Sequence, residues 1–341
     1  MIEENKLQEI RDALENAQNP VVFFDDDPDG LVSYLLLKRK YEKCYGVPLK
    51  VSMRDDSLFT TITSDMKPDL VVILDRAEVS QEAIDSMNTT IVWLDHHPPM
   101  DRKGVKYYNP RLKDPSDRSP TSYWAYKVVK QDLWLALIGI FADWYIPEFV
   151  GECKHPELIN GADTPPKILF ETKYGILVKC IGFALKGKTT DVKKIIEKFL
   201  KVKDPYEILE QKTPEGKAIY KHYEKLNQEY EMLLNGAIES ATEDEVLVYV
   251  YPSDKNSFTG AISNELIYKF PDKLIVIARE KDGSLRVSLR SSSIVINKIL
   301  PIALDGVKGY GGGHEYACGA NIDKHDFDKF IEQLRKAAKK K

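Results

Sequence analysis

Short apolar runs, each followed by acidic or histidine residues, mark the first hundred positions of the chain. Residues 21–24, 70–74 and 91–94 are apolar throughout, which predicts strands that are buried on both faces. The spacing of apolar residues predicts an amphipathic helix over 3–18, and a second helix over 31–45. Because strands and helices alternate, we expect a parallel sheet with helices on both faces.

Over the remainder of the chain, the pattern of apolar and polar residues changes twice. Residues 120–142 predict one long apolar helix, and residues 165–240 are helical with Lys-rich and Glu-rich faces. Strands are predicted at 246–251, 274–278 and 285–289, then a glycine-rich loop at 309–314 and a final helix from about 325. We therefore expect an α/β protein with a first domain over 1–205, a helical connector over 206–240, and a smaller α/β domain over 241–341.

Composition excludes several classes of protein. The 341 residues are 43% hydrophobic and 30% charged, which indicates a globular chain with a core. No apolar run is long enough to span a bilayer, and the N-terminus has no apolar leader, so we expect a cytoplasmic protein without membrane contact. The four scattered cysteines fit neither a zinc finger nor a disulfide framework. Because the net charge is −4, any nucleic-acid contact must be local.

Ionisable side chains follow the predicted strands where the strands end. Ligands bind at the carboxyl ends of strands in open α/β sheets. Carboxylates with few histidines and no thiolate favour Mn²⁺ or Mg²⁺ over zinc, and the set is large enough for two ions. Each segment alone also fits an ordinary turn or helix cap. The residues are Asp25, Asp27, Asp29, Asp75, Asp95, His96, His97 and Asp143.

These residues occur in a recognisable order. Asp27-Pro28-Asp29-Gly30, Asp75, Asp95-His96-His97 and Asp143 resemble the four motifs of the DHH phosphoesterase family. Gly311-Gly312-Gly313-His314, followed by Ala317-Cys318-Gly319, resembles the C-terminal motif of its DHHA1 domain. The resemblance covers nearly the whole chain, and the middle helices are its least specific part. It implies an N-terminal DHH domain with a parallel sheet and a C-terminal α/β DHHA1 domain.

The resemblance also implies a role for each residue at the strand ends. Asp27 would bind a first ion and Asp29 a second, Asp75 would bridge both, and His96 and Asp143 would complete the second site. His97 would contact the phosphate or order water, Asp95 would support the histidines, and these two act with Asp75 as the catalytic group. The family usually has a histidine at the position of Phe23. We expect Asp25, two residues along on the same strand face, to replace it as a metal ligand.

The resemblance places substrate contacts in the C-terminal domain. In the family, the arginine and histidine that correspond to Arg290 and His314 face the metal site. The glycine run lets a phosphate approach the backbone closely, although a plain turn is the alternative. The expected substrate-binding residues are Asn264, Arg290, Ser291, Gly311, Gly312, Gly313 and His314.

The resemblance favours a metal-dependent phosphodiesterase. Its RecJ-like branch, including archaeal helicase-associated nucleases, implies an exonuclease that hydrolyses single-stranded DNA by two-metal activation of water, with two Mn²⁺ or alternatively Mg²⁺. Two alternatives stay open: a nanoRNase or cyclic-dinucleotide phosphodiesterase, and a catalytically silent scaffold subunit in DNA replication or repair. The expected partners are single-stranded nucleic acid, with DNA favoured over RNA, and a DNA helicase or other repair protein. A homodimer also stays open.

Overall fold

The computed structural model of the protein describes residues 1–49, 56–252, 254 and 256–339. The chain divides into two compact units, Met1–Tyr223 and Glu224–Lys341. A long helix, Pro214–Glu239, runs across the dividing position. Within the described ranges, no helix combines the length and the apolar character that crossing a membrane requires.

The first unit alternates strands and helices over its first half and is helical over its second half. In chain order its elements are α1 (Glu4–Asn16), β1 (Pro20–Asp25), α2 (Pro28–Lys40), β2 (Tyr45–Leu49), α3 (Ser57–Met66), β3 (Leu70–Leu74), α4 (Gln81–Met87), β4 (Thr90–Leu94), β5 (Lys106–Tyr108), α5 (Thr121–Val129), α6 (Leu133–Ala142), α7 (Pro165–Glu171), α8 (Lys173–Ala184), α9 (Thr189–Phe199), α10 (Pro205–Leu209) and the start of α11 (Pro214–Glu239). Short 3-10 helices lie at Pro110–Leu112, Val150–Glu152 and Pro156–Leu158.

The sheet of this unit is parallel, in the order β2-β1-β3-β4-β5. All five residues of β3 are buried, as expected for a strand covered on both faces. Phe24 lies opposite Leu74, and Leu74 lies opposite Leu94. Because β1, β3 and β4 end level with one another, the residues that follow them emerge at the same edge of the sheet. The predicted α/β class and parallel sheet are confirmed.

Two predicted helices are wrong in extent. The helix expected over 31–45 ends at Lys40, and Tyr45 begins β2, an edge strand that the sequence analysis missed. The helix expected over 120–142 is two helices, because Lys130 and Asp132 adopt left-handed backbone angles, with φ of 53° and 58°. The break ends α5 at Val129 and starts α6 at Leu133.

The second unit combines a mixed sheet with helices. Its elements are the remainder of α11, β6 (Val246–Tyr251), α12 (Thr259–Lys269), β7 (Leu274–Lys281), β8 (Ser284–Arg290), α13 (Ile296–Ala303), β9 (Gly309–Gly313), β10 (Ala317–Asp323), a 3-10 turn (Lys324–Asp326) and α14 (Phe327–Ala338). The strand order is β6-β7-β8-β10-β9, with β6 and β7 parallel and the other pairs antiparallel. Apolar residues of β7, β8, α13 and α14 form its core.

The glycine-rich segment is an edge strand, and its prediction as a loop is wrong. Residues of β9 pair with β10 from Gly309 opposite Ile322 to Gly313 opposite Cys318. A Cβ atom on Gly311 would lie 2.8 Å from the backbone oxygen of Gly319, so the two strands approach more closely there than a side chain allows. The glycines therefore serve strand pairing as well as leaving the outer backbone exposed.

Candidate functional site

The first helix after β1 explains the spacing of Asp27 and Asp29. Asp27 is the N-cap of α2, and its carboxylate accepts a hydrogen bond from the Gly30 amide at 2.9 Å. Pro28 occupies the first helical turn, where its missing amide hydrogen has no intrahelical partner to lose. A Cβ on Gly30 would lie 2.6 Å from the backbone oxygen of Asp25. The Asp-Pro-Asp-Gly motif thus forms the start of α2 and positions two carboxylates there.

Asp29 is held by the N-terminus of α5. Its two carboxylate oxygens accept the amides of Thr121 and Ser122, each at 2.8 Å, and only 2% of the residue is exposed. Burial and the nearby charge of Asp27 raise the pKa of Asp29 to about 6. The N-terminus of α5 thus fixes this carboxylate in one orientation.

Asp75 is a fully buried carboxylate of the site. It follows β3 with a left-handed φ of 58°, and its Oδ1 accepts the Thr121 hydroxyl at 3.0 Å. Its Oδ2 is buried and has no hydrogen-bond partner among the described residues. Burial, together with the charges of Asp29 and Asp27, raises the pKa of Asp75 well above its ordinary value. A buried oxygen that lacks a donor is what a bound cation would satisfy.

His96 lies between two of these carboxylates. Its Nε2 is 3.3 Å from Asp75 Oδ1, and its Nδ1 is 3.6 Å from Asp143 Oδ2. Asp143 is the C-cap of α6, and burial and the charge of Asp29 raise its pKa well above the ordinary value. Two groups have donor atoms within 4.8 Å of one another, and His96 is common to both: Asp75, His96 and His97, and Asp29, His96 and Asp143.

Asp95 fixes His97 through a network of its own. Its Oδ1 is 2.8 Å from His97 Nδ1, and its Oδ2 accepts the His97 amide, the Tyr107 hydroxyl and the Asn109 amide group, each at 3.1 Å. Burial by itself lowers the pKa of His97, but the hydrogen bond and charge of Asp95 outweigh it and raise that pKa. Because Nδ1 is engaged, Nε2 is the ring nitrogen that His97 has for another ligand or substrate.

Asp25 has a different partner from the other carboxylates. Arg76 Nη1 lies 3.1 Å from Asp25 Oδ1, and neither Asp25 nor Asp27 belongs to the two donor groups around His96. Phe23 is fully buried, with its ring centroid 4.7 Å from that of Phe59. Burial and the charge of Asp27 raise the pKa of Asp25 to about 7, against the opposing effect of Arg76.

The residues at this edge fit a divalent cation. Asp29 and Asp75 are buried beside the partly exposed Asp143, and the pKa values of all three are raised by desolvation and mutual repulsion. Oδ2 of Asp75 meets no donor in the described part of the chain. A cation would relieve the repulsion and satisfy that oxygen. Oxygen ligands with one or two imidazoles suit Mn²⁺ or Mg²⁺.

The second unit contains a partly buried guanidinium, that of Arg290. Arg290, at the end of β8, donates to Asn264 Oδ1 at 2.7 Å, to Ser288 Oγ at 3.1 Å and to the Leu289 carbonyl at 2.9 Å. These acceptors are neutral, and burial lowers the pKa of Arg290. A guanidinium held by neutral groups retains its full charge for an anion.

The other predicted substrate residues differ in what they offer. Ser291 is buried, and its hydroxyl accepts the amides of Ser293 and Ile294, so it holds a turn. His314 is exposed, and its amide donates to the Ala317 carbonyl at 2.9 Å. Gly311, Gly312 and Gly313 lie exposed on β9.

Comparisons with known proteins bear on this arrangement. Residues 244–340 match the family model of the DHHA1 domain. No curated protein matches the sequence. Among solved structures, RecJ from Thermus thermophilus in complex with Mn²⁺ has a TM-score of 0.71 and 15% identity over 99% of this chain. The chain has the DHH/DHHA1 fold. The resemblance found in the sequence is confirmed.

Two further solved structures share the DHH/DHHA1 fold at different lengths. A DHH-domain protein described as a member of a family of ribosomal proteins has a TM-score of 0.72 and 18% identity, covering 99% of this chain and 91% of that one. The pGpG-specific phosphodiesterase PggH from Vibrio cholerae has a TM-score of 0.52 and 14% identity, covering 94% and 99%. By contrast, this chain spans only 54% of the Thermus RecJ chain.

Sequence reasoning missed the residues that hold the DHH motif residues in place. The α5 residues Thr121 and Ser122 orient Asp29 and Asp75, and Tyr107 and Asn109 anchor Asp95. Their only local sequence indication is Pro120 before Thr121, which is typical of a helix start. Arg76 is adjacent to Asp75 in sequence, but its pairing with Asp25 depends on how β1 and β3 align.

Proposed function

We propose that the protein is a metal-dependent phosphodiester hydrolase that acts as an exonuclease on single-stranded nucleic acid, with DNA favoured over RNA. The observation that carries the proposal is the cluster of carboxylates around His96 at the carboxyl edge of the parallel sheet, two of which, Asp29 and Asp75, are buried. Asp29, Asp75, His96 and Asp143 would hold a divalent cation, Mn²⁺ or alternatively Mg²⁺. When bound, such a cation supplies Lewis acidity toward a phosphodiester and toward water.

The chain's own side chains divide the remaining tasks. Asp95 holds the His97 ring by its Nδ1, so that Nε2 can donate to a phosphate oxygen or hold a proton there. The raised pKa of His97 favours the doubly protonated ring, which donates and carries positive charge. Arg290, oriented by Asn264, would bind a phosphate group of the strand together with His314 and the exposed backbone of β9.

Two observations bear on the substrate. Similarity to a RecJ that was solved with Mn²⁺ supports the exonuclease proposal. Similarity to a pGpG-specific phosphodiesterase, with nearly complete coverage of both chains, favours the second candidate, an enzyme for short oligonucleotides or cyclic dinucleotides. A helicase or repair protein as partner, and a homodimer, remain part of the proposal for the RecJ-like role. We also propose that the protein is cytoplasmic.

A time course on labelled strands tests the proposal. Metal-stripped protein receives Mn²⁺ and 5′-labelled strands of two lengths, a trinucleotide and a long oligomer, each as DNA and as RNA, with Asp75→Asn as the matched control. Loss of the long DNA with a ladder of products supports the exonuclease, and the ladder gives its polarity. Cleavage of the short strands alone supports the second candidate. No cleavage of any strand contradicts both and favours a catalytically silent scaffold subunit.

A further inference from the structure

One carboxylate at the sheet edge already has a permanent cation beside it. Arg76 Nη1 lies 3.1 Å from Asp25 Oδ1, and the two side chains are only 16% and 17% exposed. Arg76 is also anchored through its backbone, because its carbonyl accepts the indole N–H of the buried Trp93 at 3.1 Å. The proposed hydrolysis uses neither Asp25 nor Arg76.

The carboxylates around His96 are held differently. Asp75 and Asp143 form their ion pairs with imidazoles, His96 and His97. Asp29 accepts backbone amides from α5. In contrast to Asp25, these three carboxylates have no guanidinium or ammonium partner within hydrogen-bond distance in the described part of the chain.

We infer that Arg76 takes the place of a divalent cation at Asp25, so that each chain binds one Mn²⁺, in the group around His96, rather than two. The inference rests on the metal centre of the proposed function. A guanidinium carries its charge at any relevant pH and does not dissociate, so it neutralises Asp25 without a second ion. Asp25 is then a partner of Arg76 and not a metal ligand, in contrast to the expectation from the sequence.

Counting the Mn²⁺ ions that the protein binds tests this inference without reference to activity. Metal-stripped protein is titrated with Mn²⁺, and free Mn²⁺ is followed by electron paramagnetic resonance. We expect one ion per chain for the unmodified protein and for Asp25→Asn, with the same affinity. The control Asp143→Asn should weaken or lose that ion. Two ions in the unmodified protein, one of which disappears in Asp25→Asn, would overturn the inference.

A double-mutant cycle on the metal-free protein separates charge replacement from simple packing. Asp25→Asn and Arg76→Met each leave one partner buried without its counter-charge, so each should lower the melting temperature. The double variant should be more stable than the sum of the two losses predicts, since neither member of this ion pair is then left without the other. Arg76→Met should also take up a second Mn²⁺ beside Asp25 and Asp27. Additive losses, together with unchanged Mn²⁺ binding in Arg76→Met, would contradict the inference.

The outcomes distinguish this inference from the proposed function. A chain that binds two Mn²⁺ and cleaves strands contradicts only the role of Arg76. A chain that binds one Mn²⁺, keeps it in Asp25→Asn and cleaves nothing contradicts only the hydrolysis.

Discussion

At the scale of single residues, the two carboxylate oxygens of Asp75 have different surroundings, which is why a cation is proposed there. One of its oxygens accepts the Thr121 hydroxyl, and the other is buried with no donor within the described ranges. A buried acceptor left unsatisfied costs about 1–3 kcal/mol. The metal-free protein therefore bears a free-energy cost at this residue that the proposed cation would remove.

Asp75→Asn should abolish hydrolysis while keeping the fold. Asparagine retains an oxygen for Thr121 but removes a charge that repels Asp29 and Asp27. We expect the metal-free variant to melt no lower than the unmodified protein, and Mn²⁺ to stabilise it much less. Thermal melts with and without Mn²⁺, beside the strand-cleavage assay, measure both effects. Full cleavage activity in this variant would refute the proposed role of Asp75.

The raised pKa values predict how Mn²⁺ binding depends on pH. The pKa of Asp29 is about 6 in the folded metal-free protein, against about 3.9 in an unfolded chain. The stability that this shift contributes is present below about pH 4 and is lost as the pH rises through about 6. Because Mn²⁺ must displace the bound protons, calorimetry should show weaker binding at about pH 5.5 than at about pH 8, with proton release. Affinity that does not change over this range would contradict the shift.

The positions of the proposed metal ligands could be predicted from the sequence, but their hydrogen-bond partners could not. Asp29, Asp75, His96 and Asp143 each follow an apolar segment, so the sequence indicates where they emerge. The partners come from elsewhere in the chain: Thr121 contacts Asp75 from 46 positions away, and Arg76 contacts Asp25 from 51 positions away. Contacts at such separations depend on tertiary packing, which a local pattern does not contain.

At the scale of elements, the central strands were predictable and the edge strands were not. The buried strands β3 and β4 are continuous apolar runs, which leave little ambiguity. The edge strand β2 contains Gly46 and Pro48, and β9 is mostly glycine, so both have the composition of a turn. An edge strand needs fewer buried side chains, and pairing with its neighbour decides its conformation.

Substitution can show which glycine of β9 the fold requires. Gly313 has a φ of 146°, and a Cβ there would lie 2.5 Å from the Ala317 carbonyl oxygen, whereas a Cβ on Gly312 meets nothing within 4 Å. Gly313→Ala should lower the free energy of unfolding by at least ~1 kcal/mol. The control Gly312→Ala should change it by no more than ~0.5 kcal/mol. Urea unfolding measures both, and equal effects would show that the strand pairing of β9 does not require Gly313.

At the scale of the whole molecule, the residues proposed to bind metal and those proposed to bind phosphate lie in different compact units. The cluster around His96 belongs entirely to the first unit, and Arg290 and His314 belong to the second. The order of the motifs anticipates this division, since the acidic motifs precede the glycine-rich one. The position of the dividing line within α11 has no sequence marker, because that helix continues across it.

Because these two sets of residues lie in different units, substitutions in the second unit should weaken substrate binding and leave the affinity for Mn²⁺ unchanged. His314→Ala and Arg290→Gln should raise KM for a labelled strand about tenfold or more, as expected for the loss of a charge-assisted phosphate contact of about 1.5–3 kcal/mol. Neither should change the affinity for Mn²⁺, measured by calorimetry. Arg286→Gln is the matched control, because Arg286 is an exposed residue of the same strand as Arg290. Loss of Mn²⁺ binding in His314→Ala would contradict a substrate role for that residue.

The central claim is that a divalent cation binds at the carboxyl edge of the first sheet. A crystal of the full chain soaked in Mn²⁺, measured at a wavelength where manganese scatters anomalously, tests it most directly. We expect an anomalous peak among the side chains of Asp75, His96 and Asp143. An occupied peak elsewhere, with none between Asp75, His96 and Asp143, would contradict it.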